Sequence, residues 1–167
     1  NRRTMFPEGI ETSVRRIPLP EQTLTLGALD VDTEHLQRFA VSSAITFYAD
    51  GSYGWRPQDG SAAEQRRTLT SEQHYLIGGD DVDFELEGIV DGTVLVYTQG
   101  RIVITDDLGY AHDPRGAGAD DYLGLVAERT IEIAEPAVTG PGDLEVQASL
   151  YARNRFVVRE FRSKRSG

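Results

Sequence analysis

The sequence predicts a mainly β protein whose body is a parallel β-solenoid, with an irregular N-terminal lead-in, one short helix and a hairpin. Three observations carry this. Most of the 167 residues fall into short apolar runs closed by Gly, Asp, Asn or Pro, the punctuation of strands rather than of long helices. The composition, 39% apolar with 17 glycines and seven prolines, is too apolar for a disordered polymer and too interrupted for a helical one. From Tyr75 onward, finally, the chain repeats a nine-residue pattern.

In chain order, residues 1–74 form the lead-in, short helix and hairpin. Ile17-Pro18-Leu19-Pro20 is held extended by its two prolines and the residues that precede them. Asp32 to Val41 reads as the helix: Thr33 is placed to cap it, and Leu36, Phe39 and Ala40 share one face. Ile45-Thr46-Phe47-Tyr48 alternates, reaches Asp50-Gly51 and resumes at Tyr53 and Trp55, a hairpin whose turn uses the positive φ open to glycine. Gln58 to Thr70 is polar and reads as surface loop, with a weak helix or turn over Ser61 to Arg67.

Residues 75–161 hold the repeat. Leu76 to Phe84, Val96 to Ile104, Leu125 to Ile133 and Leu150 to Val158 each place an aliphatic residue first, a small one third, a polar corner next, and apolar residues seventh and ninth. Two short strands joined by a corner cannot bury their inner face alone, but stacked copies can. Asp113 to Asp120 and Glu135 to Gly142 are excursions from the corners, and Gly88 and Gly92 mark two sharp bends. An antiparallel sandwich with ordinary hairpins is the alternative. Residues 162–167 form a basic tail.

One domain is the default at this length. The net charge is −10, unevenly spread: residues 17–152 carry 7 basic against 24 acidic groups, a body that repels a phosphate backbone and argues against nucleic acid as a partner. From Arg153 onward the balance reverses. That end reads as a final strand with a solvated tail, or as an electrostatic contact with an acidic partner. Zero cysteines exclude disulfides, Cys-ligated metals and thiol nucleophiles. There is no run of 18 apolar residues, and contact with a membrane is expected only through a segment outside this chain.

Phe6…Gly9, Val14-Arg15-Arg16-Ile17-Pro18-Leu19-Pro20, Ile45-Thr46-Phe47…Asp50-Gly51, Gly88-Ile89-Val90-Asp91-Gly92-Thr93-Val94, Arg101 to Ala111, Leu123 to Ala127 and Leu150-Tyr151-Ala152 occur in this order. Together they resemble a domain of unknown function found in bacterial type IV pilus-associated proteins, including PilX-like assembly proteins and large minor pilins with an inserted β-solenoid. The resemblance runs from Phe6 to about Phe161. It implies a right-handed parallel β-helix at the cell envelope or outside the cell, with other pilus or envelope proteins and surface ligands as partners, and a role in adhesion or assembly rather than catalysis. It brings no catalytic residue, cofactor or metal site. The family's prepilin-like leader and N-terminal helix are not found in this sequence.

His35, His74 and His112 lack HxxxH or HxH spacing, which argues against a histidine metal site, and no Gly-x-Ser-x-Gly elbow is present. Acid pairs recur at Asp80-Asp81 with Asp83, at Asp106-Asp107 and at Asp120-Asp121. Stacked at neighbouring corners they would make an oxygen-rich site for acid/base work or Ca²⁺; aspartate also simply suits turns. Tyr48, Tyr53 and Trp55 read as a sugar-stacking platform or as cross-strand packing. Gly78-Gly79 and Gly116-Ala117-Gly118 lack the context of a phosphate loop. Three functions follow: a non-catalytic structural or adhesive module of a type IV pilus or related surface apparatus, a polysaccharide-active enzyme using the clustered Asp residues, and a bactofilin-like polymerising scaffold.

Overall fold

The computed structural model describes residues 34–116, 120–140 and 142–159. The lead-in before residue 34 and the tail 162–167 lie outside them. Twelve strands and one short helix follow in order: β1 (Leu36–Phe39), β2 (Ser43–Tyr48), β3 (Ser52–Pro57), β4 (Gln65–Thr68), β5 (His74–Gly78), β6 (Phe84–Val90), β7 (Thr93–Thr98), β8 (Ile102–Tyr110), β9 (Tyr122–Ala127), β10 (Thr130–Ile133), α1 (Pro136–Thr139), β11 (Ser149–Ala152) and β12 (Arg155–Val158).

The protein is mainly β. One sheet has the order β1-β5-β7-β9-β11 and the other β12-β10-β8-β6-β2-β3-β4, and neither closes on itself. Apart from the β2-β3-β4 meander, every pairing of strands is parallel, which sets the antiparallel sandwich aside. The meander excepted, successive strands alternate between the sheets. Their inward residues, among them Leu76, Val96 and Leu125 from one sheet and Ile45, Leu86 and Ile104 from the other, meet in one core.

The nine-residue windows lie in register. Leu76, Val96, Leu125 and Leu150 form one ladder, and the small third residues Gly78, Thr98, Ala127 and Ala152 form another. In the second sheet Ile102, Ile131 and Phe156 align, as do Ile104, Ile133 and Val158. The first window departs by two residues: Phe84 and Leu86 stand beside Ile102 and Ile104. Its corner is longer, five residues (79–83) against three (99–101), and Asp81 turns there with φ 57°.

The expected helix at Asp32–Val41 is a misreading. Leu36–Phe39 is a strand, paired in parallel with Tyr75–Gly78. The spacing of Leu36, Phe39 and Ala40 fits a helix face, but Phe39 instead enters the core edge-on to Phe84 (5.1 Å between centroids) and Trp55 (6.2 Å). The parallel ladders thus begin at Leu36, ahead of Tyr75. Nor does Ser61–Arg67 form a helix, since Gln65–Thr68 is β4, antiparallel to β3. The only helix among the described residues is α1, inside the excursion after β10.

The hairpin forms as expected. Ile45 opposes Trp55 and Phe47 opposes Tyr53, with Gly51 at φ 73° closing the turn. A second glycine is required at 88. There the β6–β8 register shifts, β8 advancing from Ile104 to Leu108 while β6 goes only from Leu86 to Gly88; φ is 106°, and a Cβ would collide with the Phe47 carbonyl oxygen.

Candidate functional site at the β6–β7 and β8–β9 corners

Parallel stacking brings together corners far apart in sequence. Val90 at the end of β6 pairs with Tyr110 at the end of β8, and Thr93 at the start of β7 pairs with Tyr122 at the start of β9. Asp91, His112 and Asp121, each just outside a strand, therefore meet. Backbone bonds close the corner, from Ala111 N–H to the Val90 carbonyl (2.8 Å) and from Tyr122 N–H to the Gly92 carbonyl (2.9 Å).

Asp121 is the anchor. Its Oδ1 accepts the Gly92 N–H at 2.7 Å and its Oδ2 accepts the His112 N–H at 2.9 Å. The His112 ring Nδ1 lies 3.0 Å from the same Oδ2 and 3.9 Å from Asp91 Oδ1. The Asp121 side chain is 1% exposed, that of Asp91 35% and that of His112 61%. No Lys or Arg among the described residues forms an ion pair with either carboxylate. One donor atom from each of the three residues fits within 4.8 Å of the others, an imidazole nitrogen with two carboxylate oxygens. His112 also lines a cavity of about 400 Å³ with Tyr110, Arg115, Glu145 and Gln147. Gln147 fixes that wall, accepting the Tyr110 N–H at 2.9 Å and donating to Glu145 at 2.6 Å.

The acid pairs singled out from sequence do not converge. Asp81 and Asp83 stand at the opposite corners, between β5 and β6, and are taken up by ion pairs with Arg129 and Arg101. Asp83 is held most fully, accepting the backbone N–H of Arg101 at 2.7 Å and two guanidinium bonds at 2.8 and 3.0 Å. Asp106 and Asp107 lie within β8, where Asp107 accepts the Glu145 N–H at 2.8 Å. Of these acids only Asp121 joins the new cluster.

The other residues read for chemistry are structural. Tyr53 is buried, and its ring stacks obliquely 5.5 Å from Trp55. Tyr48 carries the Arg66 guanidinium 4.0 Å above its ring and donates to Glu64 at 2.9 Å. His35 and His74, unrelated in sequence, meet edge to face at 5.0 Å, and His74 Nε2 accepts the Thr70 N–H at 2.9 Å. Of the basic segment, Arg153 pairs with Glu128 of the β9–β10 corner and Arg159 with Glu132 of β10.

Sequence reading passed over the Asp91–His112–Asp121 cluster because the three residues are not close in the chain. The repeat held half of the signal. The 29-residue offset between β7 and β9 sets Asp121 beside Gly92, whereas His112 comes level with Gly92 only because the β6–β8 register shifts between Leu86 and Gly88, which the windows do not show.

Comparison with family models, with curated proteins and with solved structures gives no match. No helix among the described residues is long and apolar enough to cross a membrane.

Proposed function

We propose that this chain is a non-catalytic structural or adhesive module, built as a right-handed parallel β-helix, of a type IV pilus or related bacterial surface apparatus outside the cell or in its envelope. The observation that carries the non-catalytic part is the use of the acids. Asp81, Asp83, Glu128 and Glu132 are spent on ion pairs to Arg129, Arg101, Arg153 and Arg159, which lie later in the chain at corners or just past a strand end and so tie successive turns together. Right-handedness is the expectation for parallel crossovers within one sheet. The surface location rests on the resemblance to pilus-associated domains, and pilus or envelope proteins are the partners it suggests.

The test is made in the producing bacterium. A tagged copy should be cleaved by protease added to intact cells and should co-purify with sheared appendages. Recovery wholly inside unbroken cells would overturn the surface reading. A crystal structure tests the hand.

A second reading, a polymerising scaffold, draws on one observation. Leu150, Phe156 and Val158 continue the core ladders yet are 41%, 47% and 43% exposed. At the other end, however, the antiparallel β3–β4 meander interrupts the parallel stacking of one sheet. Light scattering that grows without limit as concentration rises would favour the polymer over the module.

A further inference from the structure

We propose that Asp91, His112 and Asp121 bind a divalent first-row metal ion, Zn²⁺ being the best match to the donor set, and that the ion staples the β6–β7 corner to the β8–β9 excursion. This stands apart from the surface reading and needs no cell-envelope location.

Four observations point the same way. The donors come from two corners, Asp91 from one and His112 and Asp121 from the two ends of the other, and converge, with Nδ1 of His112 3.0 Å from Asp121 Oδ2 and 3.9 Å from Asp91 Oδ1. Ligand atoms each about 2.0–2.2 Å from a shared zinc ion have separations of this order. No lysine or arginine among the described residues answers the charge either. The Asp121 carboxylate is 1% exposed, yet only neutral backbone N–H groups and the imidazole face it, whereas buried charges are ordinarily paired or coordinate metals.

The third observation is orientation. Gly92 N–H holds Asp121 Oδ1 and His112 N–H holds Oδ2 beside the ring, the kind of outer hydrogen bonds that aim a metal ligand. Asp91, by contrast, accepts no hydrogen bond from the described residues, so its oxygens are available. The fourth is access. His112 lines the cavity, and the side chains of His112 and Asp91 are 61% and 35% exposed, giving an ion a way in and water a place to complete its coordination. One nitrogen and two carboxylate oxygens suit zinc or manganese better than calcium, which takes six to eight oxygens.

The metal-free chain should be titrated with Zn²⁺ by calorimetry, with ¹H–¹⁵N spectra of the imidazoles recorded alongside. The expected result is one saturable site per chain. His112→Ala and Asp91→Asn should each weaken it by about ten-fold or more, while His35→Gln leaves it unchanged. Zn²⁺ should raise the unfolding temperature of the wild type and not of the two site variants. Both substituted side chains are partly or largely exposed, so the variants should fold; the wild-type spectra serve if they do not, because His112 resonances must then shift on adding Zn²⁺ while those of His74 stay in place. No saturable binding, binding unchanged in both variants, or a shift confined to His35 and His74 would overturn the proposal.

Discussion

Thr98 shows how one side chain fixes a corner. Its buried hydroxyl donates to the Val82 carbonyl oxygen and accepts the Gly100 N–H at 3.0 Å, tying the three-residue corner of one turn to the longer corner before it. Thr98→Val keeps the shape but orphans both backbone groups, and should cost about 2 kcal/mol in urea denaturation. Glycine positions separate similarly by what surrounds them. Gly88→Ala adds a Cβ against the Phe47 carbonyl at φ 106° and should cost about 3 kcal/mol or more, whereas Gly51→Ala, with no heavy atom closer than 3.6 Å, should cost only about 1 kcal/mol. His74 adds a pH dependence. Burial, then the neighbouring His35, hold its imidazole below the ordinary value of 6.5, so the folded chain resists a proton that the unfolded chain accepts. Its contribution is therefore complete above the unfolded value and lost as pH falls through that value towards the folded one. The urea midpoint should drop between about pH 7.5 and about 5.5, and His74→Gln should flatten that segment of the profile.

At the scale of the element, cross-strand ion pairs differ by burial more than by geometry. Glu132 is 6% exposed at the side chain and paired with Arg159, while Arg129 and Asp81 are both more than half exposed. Arg159→Ala strands a buried carboxylate and should cost about 2 kcal/mol; Arg129→Ala should fall within about 0.5 kcal/mol. Equal losses in urea denaturation would show that Glu132 finds other solvation. Elements were legible in the sequence in proportion to their length and punctuation. Asp50-Gly51 announced the hairpin, and the windows announced seven strands in register, because period-2 apolar residues around a polar corner have few other uses. Strand β1 was misread because four residues cannot show a period, and Leu36 and Phe39 satisfy helical and core-strand spacing alike. Strand β4, Gln-Arg-Arg-Thr, has no apolar signal at all: it lies against β3 with only Arg67 partly covered.

At the scale of the whole molecule, a stack of parallel strands gains stability chiefly from neighbours on either side. The offset that aligns β7 with β9 also sets Asp121 beside Gly92, but His112 reaches the same corner only through the register shift between β6 and β8, so that site was only half legible in the repeat. Stability should follow position in the stack. Strands β6 and β8 are flanked on both sides, and Leu86, Ile102 and Ile104 are fully buried. β11 and β12 end their sheets, and Leu150, Tyr151 and Phe156 are 41–53% exposed. Native-state hydrogen exchange should therefore show a gradient, with the amides of Leu86 and Ile104 opening only with global unfolding and those of β11 and β12 opening at a small fraction of that free energy. Adding Zn²⁺ should raise protection around Gly92, His112 and Tyr122 without changing β12, since a metal at that corner stabilises the strands it joins and not the far end. Uniform protection from β6 to β12 would mean that the stack unfolds as one cooperative unit, with the terminal strands held by contacts outside the described residues.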